Sequence, residues 1–377
     1  MRTLILALAL AAVLATSAFA GGYNLGTGTS AGISADGAYV VANLSSVATL
    51  VNVSTGGTTS LGGYTAAGVA TRIKNSAYQI LVAGNANGNV NVWKSDTAAW
   101  SVIGVGTGLC IDADQTPTGS INYWIGGNQG TTTGSRVAYR YKESSASWSS
   151  LGLPANYNKD AYIYGISQIG SYAGRAQFGG VSGGGARGAV GGGTLTGLNP
   201  IIGAQTTANE AVANAISRDG YVAGGWSTFA GGARGLTLWS LRPTVNPTPI
   251  AQLPFLAVGD NYGEVQCLNA DGTIAAGYSR YVGTPANTNA NAFIWDAVNG
   301  TRSISSVISG WGFDTTGWTA FSAVTGMSGD GKVLCGNGTY GGVTTSWVAF
   351  QPVPEPGSIL ALSMGLVGLI GLRRRGK

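Results

Sequence analysis

Carboxylates are the first residues to weigh, because this chain of 377 residues contains no histidine. That absence removes Ser-His-Asp and Cys-His catalysis, imidazole-bound metals and an imidazole pH switch. Glycoside hydrolysis needs only two carboxylates, roughly 5 to 10 Å apart. Glu210 and Glu264 lie just upstream of two similar segments and are placed to face one end of the fold. Equivalent positions in repeated units account for them equally well, and that structural reading is preferred. Asp36, Asp219, Asp271 and Asp330 each precede a glycine and are read as turn residues. Asp112 and Asp114 form an Asp-x-Asp pair, but the following loop lacks the ligand spacing of an EF-hand. Gly179 to Gly193 is glycine-rich without the Lys-Ser/Thr of a phosphate loop. No catalytic, metal-binding or cofactor-binding residue is assigned, and the chain is not expected to be an enzyme.

Aromatic residues are the other candidates. Trp93, Trp239, Trp295 and Trp347 recur at matching strand positions and are expected in the core. Trp226, Trp311 and Trp318 fall outside that register, in stretches read as Gly- and Thr-rich loops. An exposed tryptophan there would stack on a sugar ring or anchor a protein partner. The cysteines, Cys110, Cys267 and Cys335, are odd in number and lack a CxxC pair. They are expected as small buried apolar residues, with a single bridge as the alternative.

The elements that would position these residues come from a recurring phrase. Gly32-Ile33-Ser34-Ala35-Asp36-Gly37, Ala215-Ile216-Ser217-Arg218-Asp219-Gly220, Cys267-Leu268-Asn269-Ala270-Asp271-Gly272 and Gly326-Met327-Ser328-Gly329-Asp330-Gly331 each lead into a short run of small apolar residues. Strand, Asp-Gly and strand again read as a hairpin with a type I′ turn. Weaker copies begin at Gly68, Cys110 and Gly165, so seven starts fall 36 to 59 residues apart. The second and third copies are expected to have long, irregular turns. A third strand with an aromatic follows most copies, as in Val90-Asn91-Val92-Trp93 and Ala292-Phe293-Ile294-Trp295. A fourth follows too, as in Trp148 to Gly152, Leu195 to Leu198 and Ser303 to Val307. Four strands per repeat predict an all-β protein, a β-propeller of seven four-stranded blades over residues 21–352. A β-helix and tandem β-sandwiches are the alternatives. The last copy lacks a fourth strand, and Tyr23-Asn24-Leu25-Gly26 is expected to supply it and close the ring. Ser-x-Asp-Gly followed by Ala-Phe-Ile-Trp resembles the extracellular HAF repeats, with Asn291 where that family usually has His.

Both termini read as addresses. Residues 1–20 have a positive Arg2, an apolar run from Leu4 to Leu14 and Ala18-Phe19-Ala20, the layout of a signal peptide cut by signal peptidase before Gly21. Residues 353–377 begin with Val353-Pro354-Glu355-Pro356, continue through the apolar Gly357 to Leu372 and end on Arg373-Arg374-Arg375-Gly376-Lys377. A 16-residue helix rises only about 24 Å, against a hydrocarbon core of roughly 30 Å. The span suits a transient inner-membrane anchor, with the basic end cytoplasmic. This tail resembles the PEP-CTERM sorting signal of Gram-negative bacteria. The resemblance implies processing by an exosortase, delivery to the cell surface, and a setting of exopolysaccharide and biofilm. It implies a structural, adhesive or glycan-binding role, with a carbohydrate-active enzyme as the alternative and exopolysaccharide or a surface protein as partner.

Charge follows from the same division. Arg2, Arg373, Arg374, Arg375 and Lys377 carry much of the net charge of +5. The body is close to neutral, which argues against a nucleic-acid partner. The sorting reading predicts that mass spectrometry of surface-exposed protein finds chains lacking Arg373 to Lys377; an intact tail there contradicts it.

Overall fold

A computed structural model describes residues 21–352 except 115–121, 131–135, 152–156, 179–196, 199, 202–209, 230–231, 242–247 and 284–289. The signal peptide, the sorting tail, all of Gly179 to Gly193, Leu195-Thr196 and most of the third hairpin's turn therefore lie outside the described residues.

The described chain is almost entirely antiparallel strand, in seven successive groups. The first contains β1 (Gly22–Ile33), β2 (Tyr39–Leu44), β3 (Val47–Asn52) and β4 (Thr58–Ser60). The second contains β5 (Thr65–Lys74), β6 (Ala77–Ala86), β7 (Asn89–Lys94) and β8 (Ala99–Val105). The third contains β9 (Thr107–Ala113), β10 (Tyr123–Gln129), β11 (Val137–Lys142) and β12 (Ser147–Ser150). The fourth shows β13 (Tyr157–Ile166) and β14 (Tyr172–Phe178) among the described residues. The fifth contains β15 (Ala211–Ile216), β16 (Val222–Phe229), β17 (Ala233–Ser240) and β18 (Thr248–Gln252). The sixth contains β19 (Tyr262–Leu268), β20 (Ile274–Arg280), β21 (Asn291–Asp296) and β22 (Gly300–Ser303), followed by a helix, α1 (Ile304–Gly310). The last contains β23 (Trp318–Met327), β24 (Val333–Tyr340) and β25 (Val343–Phe350).

Strand β1 belongs to two groups. Its first half pairs with β25, with Tyr23 opposite Val348 and Asn24 opposite Trp347. Its second half pairs with β2, with Ile33 opposite Val40. The expected closure by the N-terminal strand is present, and it removes two free sheet edges. The ladder leaves no room for side chains at its start: a Cβ on Gly22 would lie 2.2 Å from the Val348 carbonyl oxygen.

The core is divided among the interfaces between groups. Val41 and Leu50 pack on Val82 and Trp93, Leu81 and Val92 on Ile111 and Ile125, and Ala138 and Leu151 on Ile163. Ala173 meets Trp239, Leu238 meets Val265, and Ile294 meets Trp347. Val40 and Val51 then pack on Cys335 and Val348, joining the last group to the first. Small residues in the second strands let the sheets approach this closely.

Three local expectations need correction. The Asp-Gly segments are not type I′ turns, because only their glycines have positive φ, +72° at Gly37, +81° at Gly220 and +73° at Gly331. At Asp271-Gly272 the loop is built on Asn269, whose Oδ1 accepts from Ile274 N at 2.9 Å. The other three are four-residue loops built on a fully buried serine: Ser217 Oγ donates to Asp219 Oδ1 at 2.6 Å and accepts from Val222 N at 2.9 Å. Ser34 and Ser328 repeat the arrangement. Two-residue turns with both φ positive occur instead at Ser45-Ser46, Asn87-Gly88 and Asn75-Ser76, so the second hairpin is tight. The fourth strand of the sixth group is Gly300–Ser303 rather than Ser303 to Val307, which continues as helix because Ile304 and Ile308 are four apart and both buried.

The loop ends of the groups are tied in sequence. Gly329 N donates to Ala35 O at 2.7 Å, Ala270 N to Gly329 O at 2.9 Å and Asp219 N to Ala270 O at 3.1 Å. Asp36 accepts from Thr71 at 2.9 Å and from the Tyr78 hydroxyl in the next group. The fully buried Arg72 donates to Glu143 Oε1 in the third group at 2.9 Å and to Gln79 at 2.7 Å. Burial alone would raise the Glu143 carboxyl, but the Arg72 hydrogen bonds and charge hold it below its ordinary value. A depressed carboxylate stabilises the fold above its unfolded pKa and loses that contribution as pH falls. Glu143→Gln leaves a buried guanidinium uncompensated and is expected to cost about 3 kcal/mol in urea unfolding at pH 7. The difference from wild type should shrink below about pH 4.

Candidate functional site

A repeated distortion builds the axial site. Each innermost strand carries a β-bulge at the same place, between Ser30 and Gly32, Ile163 and Gly165, Ala213 and Ala215, and Val265 and Cys267, among others. The extra residues are Ala31, Ala67, Leu109, Tyr164, Asn214, Gln266 and Thr325, and all of them line the axis. A bulge bends its strand and re-aims the side chain. It also drives a carbonyl into the neighbouring strand. A Cβ on Gly225 would lie 1.9 Å from Val212 O, and one on Gly277 2.0 Å from Glu264 O. Glycine is required at Gly225 and Gly277 for that reason, whereas the first group has Ala42 at the matching place.

The residue after this position divides the groups. Asn43 follows Ala42, while Asn85, Asn128 and Asn337 each follow glycine. Three of them, Asn43, Asn85 and Asn337, pin one group to the next. Asn43 donates to Ala66 O at 3.0 Å and accepts from Ala66 N at 2.8 Å; Asn85 does the same with Gly108, both at 2.8 Å. Asn337 accepts from Ser30 N at 2.8 Å. In the fourth, fifth and sixth groups the matching residues are Arg175, Trp226 and Tyr278, paired across from Tyr162, Val212 and Glu264.

Beside these three substitutions lies a cavity of about 510 Å³. Tyr164, Arg175, Glu210, Trp226, Arg234 and Glu264 line it, with the bulge residues Asn214, Gln266 and Thr325. Glu264 is saturated by donors: Arg234 at 3.2 Å, Asn214 at 3.1 Å, Gln266 at 3.3 Å and the Tyr278 hydroxyl. The Arg234 guanidinium lies 3.9 Å over the Trp226 ring and 4.7 Å over Tyr262, and also donates to the Tyr262 hydroxyl. Burial pushes the Glu210 carboxyl up, against the opposing charges of Arg234 and Arg175. Further along the axis stands a collar of aliphatic side chains, one from each innermost strand: Ile33, Val69, Ile111, Ile166, Ile216, Leu268 and Met327. Beyond it Asp112 faces Arg218 Nε at 3.6 Å, and burial pushes its carboxyl up to about 6 against the pull of that guanidinium.

The two glutamates singled out by sequence thus share one cavity, but they are not equivalent positions. Counting from the bulges, the counterpart of Glu264 in the preceding group is Val212. Trp226 is in strand β16 rather than a loop, and it is 5% exposed beneath Arg234. Trp318 opens β23 and stacks on Phe321 at 4.8 Å, while Trp311 caps α1; neither lines the axial cavity. Trp93, Trp239 and Trp347 are buried between groups, with Trp295 half-buried beside them. All three cysteines are free thiols, and burial pushes Cys335 up to about 12. Asp112 is a strand residue beside Arg218, not a loop ligand. Tyr164, Arg175, Arg234 and Tyr278 were not singled out by sequence. The break in the recurring Gly-Asn pair would have marked two of them.

Residues 352–375 match the family model described as the PEP-CTERM protein-sorting motif. The chain therefore carries an exosortase sorting signal and is an exported surface protein with a C-terminal membrane-anchoring tail. Among the described residues no helix is long and apolar enough to cross a membrane. Comparison with curated proteins finds no match. Among solved structures, the hydrazine synthase of Kuenenia stuttgartiensis is similar over 88% of this chain and 97% of that one, at 13% identity and TM-score 0.51. TolB from Acinetobacter baumannii is similar over 75% and 80%, at 13% identity and TM-score 0.37. An oligogalacturonate lyase from Vibrio parahaemolyticus is similar over 88% and 91%, at 10% identity and TM-score 0.42. At such identities the first likeness speaks for the propeller fold alone.

Proposed function

We propose that this chain is a seven-bladed, HAF-like propeller of the exopolysaccharide matrix that binds glycan in its axial cavity without turning it over. The observation that carries the reading is the cavity itself: charged, amide and aromatic groups converge on an exported body whose sorting signal implies a polysaccharide setting. Concave sites with a few convergent polar groups are the usual place for small ligands.

The geometry of Glu264 supports binding over catalysis. A general base or nucleophile needs a free lone pair aimed at the substrate. Glu264 spends its oxygens on Arg234, Asn214, Gln266 and Tyr278, and so works as a strut. Glu210 has no such set of donors, but a single carboxylate does not make a hydrolase pair. Adhesion and scaffolding follow from binding matrix polysaccharide while the tail is processed.

A glycan array followed by a reducing-end assay on every bound glycan tests this. Binding is expected with no new reducing ends over a day. New reducing ends that disappear in Glu210→Gln would make the chain a carbohydrate-active enzyme instead.

A further inference from the structure

We infer that the axial cavity takes an acidic sugar, a uronate residue whose carboxylate lies against Arg175. This rests on the glycan reading above and narrows its ligand class. Of the two guanidinium groups in the cavity, Arg234 is committed: it holds Glu264 and covers Trp226. Arg175 makes no ion pair among the described residues. Its Nε–H is buried and lacks a hydrogen-bond partner. A planar guanidinium edge with an unspent donor matches a carboxylate, which accepts two parallel hydrogen bonds from it.

The place of Arg175 in the fold points the same way. It occupies the strand position at which Asn43 and Asn85 pin one group to the next. Holding the sheets together therefore asks for asparagine there, and arginine answers a different need. The charged groups around it are Arg234, Glu264 and Glu210, and the Tyr164 hydroxyl is hydrogen-bonded to it, which leaves the Nε–H as its unspent donor. Glu264 is neutralised by Arg234. Burial raises the Glu210 carboxyl, against the opposing charges of Arg234 and Arg175.

The remaining lining suits a sugar better than a simple anion. Asn214, Gln266 and Thr325 place amide and hydroxyl groups where ring hydroxyls need partners. The aliphatic collar beyond offers none, which sets the depth of entry.

The test is calorimetric titration of the mature protein with oligouronates of the gluco, galacto and manno series, two to three sugars long. Each is paired with its carboxyl-reduced counterpart, and a glutamate-rich peptide of equal charge is run beside them. At least one uronate should bind about tenfold or more tightly than its reduced form. Arg175→Gln should abolish that preference, Arg175→Lys should keep part of it, and Arg302→Gln, at an ion pair with Asp296 away from the cavity lining, should leave it intact. Equal binding of acidic and reduced sugars overturns this inference and leaves the glycan reading standing. The same holds if Arg175→Gln and Arg175→Lys both keep the full preference. A peptide that binds as tightly as the best uronate overturns the acidic-sugar assignment. Failure of every sugar to bind overturns both readings.

Discussion

Apart from the strand β1 that joins the last group to the first, neighbouring sheets in this ring share almost no β-ladder, so polar contacts that cross from one sheet to the next set how they are arranged. Among the other described strands only a single bridge, Arg234 opposite Tyr262, links one group to its successor. At one end of the ring the crossing contacts are asparagine side chains, which imitate a backbone partner by donating and accepting at the next inner strand. At the other end they are turn backbones and buried ions such as Arg72 with Glu143. Between the two ends lie hydrophobic interfaces made largely of alanine, valine, leucine and isoleucine, with Trp93, Trp239 and Trp347 among them. Apolar burial is non-directional, so the directional contacts fix how the sheets face one another.

The candidate site occupies the gap in that scheme. Where the asparagine pins stop, Arg175, Trp226 and Tyr278 begin, in three consecutive groups. The lost pins are partly replaced by the site itself. Asn214 donates across to Val265 O at 3.2 Å, and Arg234 reaches Glu264 and Tyr262 in the following group. The same side chains thus hold the ring and shape the cavity. That double duty explains a cavity with so much charge and so few free partners, and it is why Arg175 stands out.

The sequence displayed the fold better than the site. All seven predicted starts fall in innermost strands, and the third strands at Val90, Val137, Leu236, Ala292 and Trp347 are present. These were legible because strand alternation and turn residues are local signals. The turn type was misread because Asp-Gly is only half of the determinant; the buried serine before it decides the loop. Ser303 to Val307 was misread because two buried isoleucines four apart fit a short helix as well as they fit a mixed strand. The cavity was mostly illegible. Its residues come from strands about 50 residues apart, and bulges shift which residue faces the axis. Only the exceptions to Gly-Asn carried a trace of it.

Closure by the shared strand β1 is the claim on which this account rests, because without it the cavity loses its circular wall. Amide hydrogen exchange of the folded protein measures it directly. The ladder between β1 and β25 predicts that amides in Tyr23 to Thr27 exchange as slowly as those in Thr345 to Ala349. Exchange of Tyr23 to Thr27 at the rate of a free chain end, with Thr345 to Ala349 still protected, would contradict a closed ring.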